Sequence, residues 1–356
     1  MKSENAERLE RASALTGAAV WALMAGLAGA GKVPLGVIEL LFLFAPLVVV
    51  PLGIALGRKL APFRHQAVQD AARLLQPLAA GLVLISFWTP PGLLAAALAV
   101  PWLGLCVMLG AEVRWTLLRG RERRLISWGV SVGRMDLVVG SAWLLVSRLG
   151  MRPMNFQEPI LLLTAVHFHY TGFATAVLAA ALAAYSGKIR GGIPSLLRLV
   201  VVAVIGIPFV VAAGFVWSPI LKLGAVAALS ASVVVLAGWQ FWLAARLSTG
   251  AARAFLRLSA SAVFFGMVLA TIYAVGDWLG RDWLLVPRMA STHGVVNGLG
   301  FVLFGLLGWM VELSAVGTKE LEAGESPAST WEVVLASASL LLRAAAGPGS
   351  FQCPSR

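Results

Sequence analysis

Charge-poor apolar stretches recur along almost the whole chain, setting in near Ala12, Leu41, Leu74, Leu93, Ile160, Leu199, Ala225, Ala260 and Val286. Each supplies most or all of the roughly 20 residues that a helix needs to cross bilayer hydrocarbon. Backbone polar groups in lipid must be satisfied internally, which leaves only helices or closed barrels. Barrel strands alternate at period 2 and keep a polar lumen face, and these stretches do neither. The expected fold class is all-α, a polytopic membrane bundle of about ten helices. Composition agrees: 59% of residues are hydrophobic and 12% charged, where soluble domains hold roughly 45–50% and 25%.

The expected spans are 12–31, 36–57, 72–89, 92–112, 128–148, 156–184, 197–217, 221–244, 257–279 and 287–314. The fifth carries Arg134 and Asp136, which pair with neighbours or snorkel. The sixth is long enough to tilt or to reach water near Ser186. The first reads as an anchor, because no small-residue cleavage site follows it. Residues 1–315 form the membrane domain, and 316–356 form a tail in which Trp331 to Ala346 is apolar enough for a short interfacial helix. Cys106 and Cys353 are too far apart in the chain and topology to suggest a disulfide framework.

Basic residues set the orientation. One set of alternate loops and helix ends holds Arg58, Lys59, Arg64, Arg73, Arg114, Arg119, Arg121, Arg123, Arg124, Lys188, Arg190, Arg198, Arg246, Arg253 and Arg257. The other set holds Lys32, Arg148, Arg152, Lys222, Arg281 and Arg288. Fifteen against six places the first set, and with it both termini, in the cytoplasm. The formal charge of +12 is then spread among short loops facing anionic membrane lipids. The densest run, Arg119 to Arg124, has no interleaved aromatics and no nucleic-acid module around it, so nucleic acid is not an expected partner.

Four histidines occur, and three fall in apolar surroundings: His167 and His169 in the sixth span, His293 in the tenth. Polar groups at that depth must be paired, hydrated or used. Both spans enter from the same side, so a common site in the outer half of the membrane is geometrically open to them. His293 and Asn297 are four apart and share a helical face, as do His167 and Tyr170 at a spacing of three. Glu158, beside Pro159, stands at the entry of the sixth span, as a cap or as a catalytic carboxylate. Thr164 is a local partner for His167, and Gly172 a place for bending or close helix approach. His65 lies in a basic loop and reads as solvated, while Glu39 and Asp277 are outer-half additions to a site.

Three histidines and a carboxylate are a donor set that zinc or iron accepts. However, His167 and His169 are two apart, so a regular helix points them about 160° from one another. Bringing both to one metal requires a kink or a π-bulge. Metal-free proton transfer is simpler: His167 or His169 takes a proton, His293 or Glu158 returns one, and Tyr170 with Asn297 holds a substrate oxygen. The expected partner is a lipophilic small-molecule substrate, undergoing isomerisation, cyclisation, hydration or hydrolysis. The alternatives are a transporter of a proton, metal ion or small solute using the same centre, and a non-catalytic scaffold.

Two segments carry a family resemblance. Phe156 to Phe173 reads FQEPILLLTAVHFHYTGF, and Met289 to Phe301 reads MASTHGVVNGLGF. Together they resemble the YndJ-like family of bacterial multispanning proteins. The resemblance implies an integral protein of the bacterial cytoplasmic membrane with a histidine centre. It carries over to His167, His169, Tyr170, His293 and Asn297 as site positions and assigns them no reaction.

Overall fold

A computed structural model describes residues 3–63, 65–113 and 124–322. The expected interfacial helix in the tail and most of the basic run from Arg119 to Arg124 lie outside the described residues. Ten helices are long and apolar enough to cross a membrane. They are α1 (Ser3–Gly29), α2 (Val37–Leu60), α3 (Gln66–Ser86), α4 (Leu93–Gly110), α5 (Arg124–Leu149), α6 (Ile160–Arg190), α7 (Ser195–Trp217), α8 (Pro219–Ala244), α9 (Gly250–Trp278) and α10 (Val286–Ala315, helical on to Glu322). The protein is an all-α polytopic bundle, and every expected span is one of these helices. Several begin earlier than hydropathy indicates, because a helix does not stop where the hydrocarbon does. Thus α9 starts at Gly250, where the Thr249 hydroxyl accepts from Ala252 N–H at 3.2 Å and caps it.

Loop contacts sort the helix ends onto two faces. On one, Gly92 N–H donates to Arg148 O at 2.7 Å, and Lys222 pairs with Asp277 at 2.5 Å. On the other, the basic face, His65 Nδ1 lies 3.0 Å from Glu112. His65 is therefore not a free loop residue, and Asp277 is engaged at a loop rather than at a histidine. Trp88, Trp217 and Trp283 are exposed near helix ends, as an aromatic belt requires.

Two helices occupy the middle. Within the membrane windows, 72% of α2 and 72% of α6 is enclosed, against 17% for α1 and 28% for each of α7, α8 and α9. Lipid supplies no hydrophobic drive between helices, so close packing by small residues must hold them. The contact of α5 with α6 shows how. A Cβ on Gly129 would lie 3.2 Å from Ala180 Cβ, and one on Gly133 would lie 3.1 Å from Phe173 O. A Cβ on Gly140 would meet His169 Nδ1 at 2.6 Å. One glycine face on α5 thus receives the histidine segment of α6.

The helices are not regular throughout. Ala45–Val49 of α2, Phe168–Ala174 of α6, and Ala290–Gly294 and Val296–Leu303 of α10 are π-helical. In α2 the cause is legible. Pro46 has no N–H to donate, and Ala45 N–H turns to Phe42 O. The carbonyl of Leu41 accepts from the Tyr170 hydroxyl at 2.8 Å.

Candidate functional site

The π-helical stretches of α6 and α10 pack together and against α2. Tyr170 of α6 reaches α2 through Leu41. Gly294 of α10 lies against the Leu41 side chain, and Gly298 faces the Tyr170 ring, to which a Cβ would come within 3.2 Å. π-turns in α-helices concentrate at functional sites, and here two helices bring theirs to one junction on a third. His167 and His293 each lie seven residues into their helices, about 10 Å of rise from the same face. The sequence leaves open whether α6 and α10 touch; at this junction they do, in the half of the bundle nearer the sparsely basic face.

Each imidazole donates from Nδ1 to a backbone carbonyl, an atom that can only accept. His167 donates to Leu163 O at 2.7 Å, His169 to Ala165 O at 2.8 Å, and His293 to Gly266 O at 2.8 Å. Nε2 then distinguishes them. In His169 it accepts from Trp102 Nε1–H at 3.1 Å, with Phe42 edge-on to the ring at 5.2 Å and no exposed surface. That side chain is saturated. In His293, Nε2 lies 3.0 Å from Asn297 Nδ2. In His167 no group among the described residues meets Nε2, and the side chain is exposed.

The remaining candidates sort by the same accounting. Thr164 bonds Ile160 O rather than His167. Glu158 accepts from the Ser147 hydroxyl and from Leu162 N–H at 3.3 Å, so it caps α6. It sits near Arg148, as does Glu39, and is apart from the histidines in its bonding. Tyr170 is buried and committed to Leu41. Asn297 Oδ1 is buried with no partner and presses on Gly266.

The π-turn of α6 does not join His167 to His169. It starts at Phe168, after His167, and His169 turns to Trp102 of α4. Three histidines and Glu158 therefore do not converge as a zinc or iron cage, and among the described residues no three His, Cys, Asp or Glu side chains are grouped to hold a metal.

Two buried acids were not assigned to a site by sequence reasoning. Asp136 of α5 is 0% exposed, with neither carboxylate oxygen partnered, and it packs on Gly172 of the α6 π-turn. Arg134, two residues away, bonds Ala61 O at 3.2 Å and stacks on Phe63. Glu312 of α10 is also 0% exposed but fully bonded. It accepts from Tyr185 OH at 2.9 Å, Ser248 N–H at 2.8 Å, Ser248 OH at 3.0 Å and Thr249 N–H at 3.3 Å. Asp136 was visible as a charge inside an apolar run; Glu312 read only as the end of one.

This fold and junction define a polytopic α-helical membrane protein with histidines inside two spans that enter from one face. The chain belongs to the YndJ-like family, whose model matches residues 40–301. It is similar to a Bacillus subtilis (strain 168) protein named "Uncharacterized membrane protein YndJ", with 26% identity over 279 residues, covering 78% of this chain and 49% of that one. The chain thus spans about half the length of this curated relative. No solved structure gives a significant match.

Proposed function

We propose that this protein is a membrane-embedded enzyme that acts on a lipophilic small molecule by histidine acid–base chemistry, with His167 as the proton-transfer group. One observation carries the reading: the accessible His167 Nε2, whose partner nitrogen is tied to Leu163 O. The tie fixes the tautomer, so Nε2 is the atom that takes and returns a proton. At this depth an exposed side chain meets acyl chains, which favours a substrate already dissolved in the bilayer. His293, oriented by Gly266 and Asn297, supplies the polar wall opposite. His169, Tyr170 and Glu158 hold the frame through Trp102, Leu41 and the start of α6. Isomerisation, cyclisation, hydration and hydrolysis all use such a group.

The test uses protein in nanodiscs, incubated with a total lipid extract and followed by mass spectrometry. The wild type converts one extractable component, and His167→Ala loses that conversion while keeping its elution profile and melting temperature. Full conversion by folded His167→Ala sinks the assignment.

A second reading, transport of a proton or small solute, is favoured by Asp136, an unpartnered carboxyl inside a span. Proteoliposomes decide it: a pH-gradient-driven flux abolished by Asp136→Asn supports transport, and tight vesicles with no flux oppose it.

A further inference from the structure

At the basic face, the end of α6 and the end of α8 flank an open-sided cavity of about 290 Å³ lined by Arg190, Gly238, Trp239 and Trp242. Trp239 is fixed by its Nε1–H, which donates to the buried Ser186 hydroxyl at 3.1 Å. Trp242 stands against it edge-to-face at 5.8 Å. Two guanidiniums contact Trp242: Arg190, which lines the cavity, at 4.9 Å from the ring centroid, and Arg246, beside it, at 3.6 Å with Nη1 donating to Trp242 O at 3.3 Å. Arg190 also faces Trp239 at 5.4 Å. Neither pairs with a carboxylate among the described residues.

A cation at each helix C-terminus follows from the helix dipole, and stacking on tryptophan orients it. Neither effect calls for two cations against one ring beside a cavity. An arginine lining a cavity between two tryptophans, with no carboxylate partner among the described residues and a second cation on the next turn, suits an anion. Guanidinium forks match phosphate oxygens in geometry as well as charge, and tryptophan bodies suit the headgroup level of a bilayer. Gly238 keeps the floor open, since nothing lies within 4 Å of where its Cβ would be.

We propose that this cavity binds the phosphate of an anionic phospholipid headgroup on Arg190, with Arg246 adding positive potential beside it and Trp239 and Trp242 against the glycerol and upper acyl region. The site is distinct from the histidine junction and stands or falls separately from it.

The test is a melting-temperature titration of detergent-purified full-length protein with dioleoylphosphatidylglycerol, dioleoylphosphatidylcholine or inorganic phosphate. Phosphatidylglycerol is expected to raise the melting temperature saturably, while phosphatidylcholine and inorganic phosphate do not. Arg190→Gln/Arg246→Gln is expected to bind about tenfold more weakly or worse, each near-surface cation contributing on the order of fivefold. Both side chains are exposed, so the variant retains its fold. The control, Arg253→Gln/Arg257→Gln, removes the same charge from the same face and is expected to keep the response. Equal loss in both double variants reduces the effect to diffuse surface charge and overturns the site. A shift with inorganic phosphate alone overturns the lipid assignment.

Discussion

His167 and His169 put the same side chain to opposite uses. Both tie Nδ1 to the carbonyl four residues back, and only the second nitrogen separates them. His169→Ala removes a buried ring and orphans Trp102 Nε1–H, so it is expected to cost about 2–4 kcal/mol. His167→Ala removes an exposed ring and is expected to change stability by about 0.5 kcal/mol or less while abolishing turnover. Chemical unfolding in detergent micelles checks both; a destabilised His167→Ala beside a stable His169→Ala reverses the assignment. The sequence shows that these histidines lie at membrane depth and point apart, because depth follows from span boundaries and direction from helical spacing. Which of them is spent is not visible there. That depends on Trp102, which lies 67 residues upstream on another helix and reads in sequence only as one more apolar residue.

At the scale of elements, the number and order of the spans were legible, since length and charge content decide what can cross a bilayer. Some helix starts were not: α3 and α9 begin at Gln66 and Gly250, well before the expected 72 and 257. Nor were the π-turns. A π-turn trades α-helical hydrogen bonds for contacts supplied by neighbours, and Leu41 O finds its donor on α6. Gly172 was legible as a site of close approach, but not what approaches. A Cβ there would lie 2.6 Å from Asp136 Cβ and 2.7 Å from its Cγ, atoms near the α5 backbone that cannot swing away. Gly172→Ala is therefore expected to push α5 and α6 apart at a cost of about 1–3 kcal/mol. Gly206→Ala, in α7 with nothing within 4 Å, is expected to stabilise by up to about 1 kcal/mol through helix propensity. Melting temperatures of the two variants should move in opposite directions; a shared direction would show that α5 and α6 have room to spare.

At the scale of the whole molecule, two features organise the bundle: a buried latch and a charge asymmetry. Glu312 ties α10 to Tyr185 of α6 and to the α8–α9 turn through four hydrogen bonds. Glu312→Ala leaves those donors buried and unmet, for an expected loss of about 3 kcal/mol or more; an unchanged melting temperature would mean that water replaces the carboxylate without cost. The latch closes on the basic face. Among the described residues, His65 of the α2–α3 turn meets Glu112 beyond α4, and the α8–α9 turn meets Glu312 of α10; the excess of fifteen basic residues over six in the sequence argues that this face is the cytoplasmic one. Single cysteines test this directly. In a Cys106→Ala/Cys353→Ala background, Arg281→Cys on the sparse face should react with a membrane-impermeant maleimide in intact bacterial cells with a permeabilised outer layer. Arg253→Cys on the basic face should react only after the inner membrane is opened. The reverse pattern would invert the bundle, move the histidine junction to the cytoplasmic half, and present the Arg190 cavity to the external leaflet.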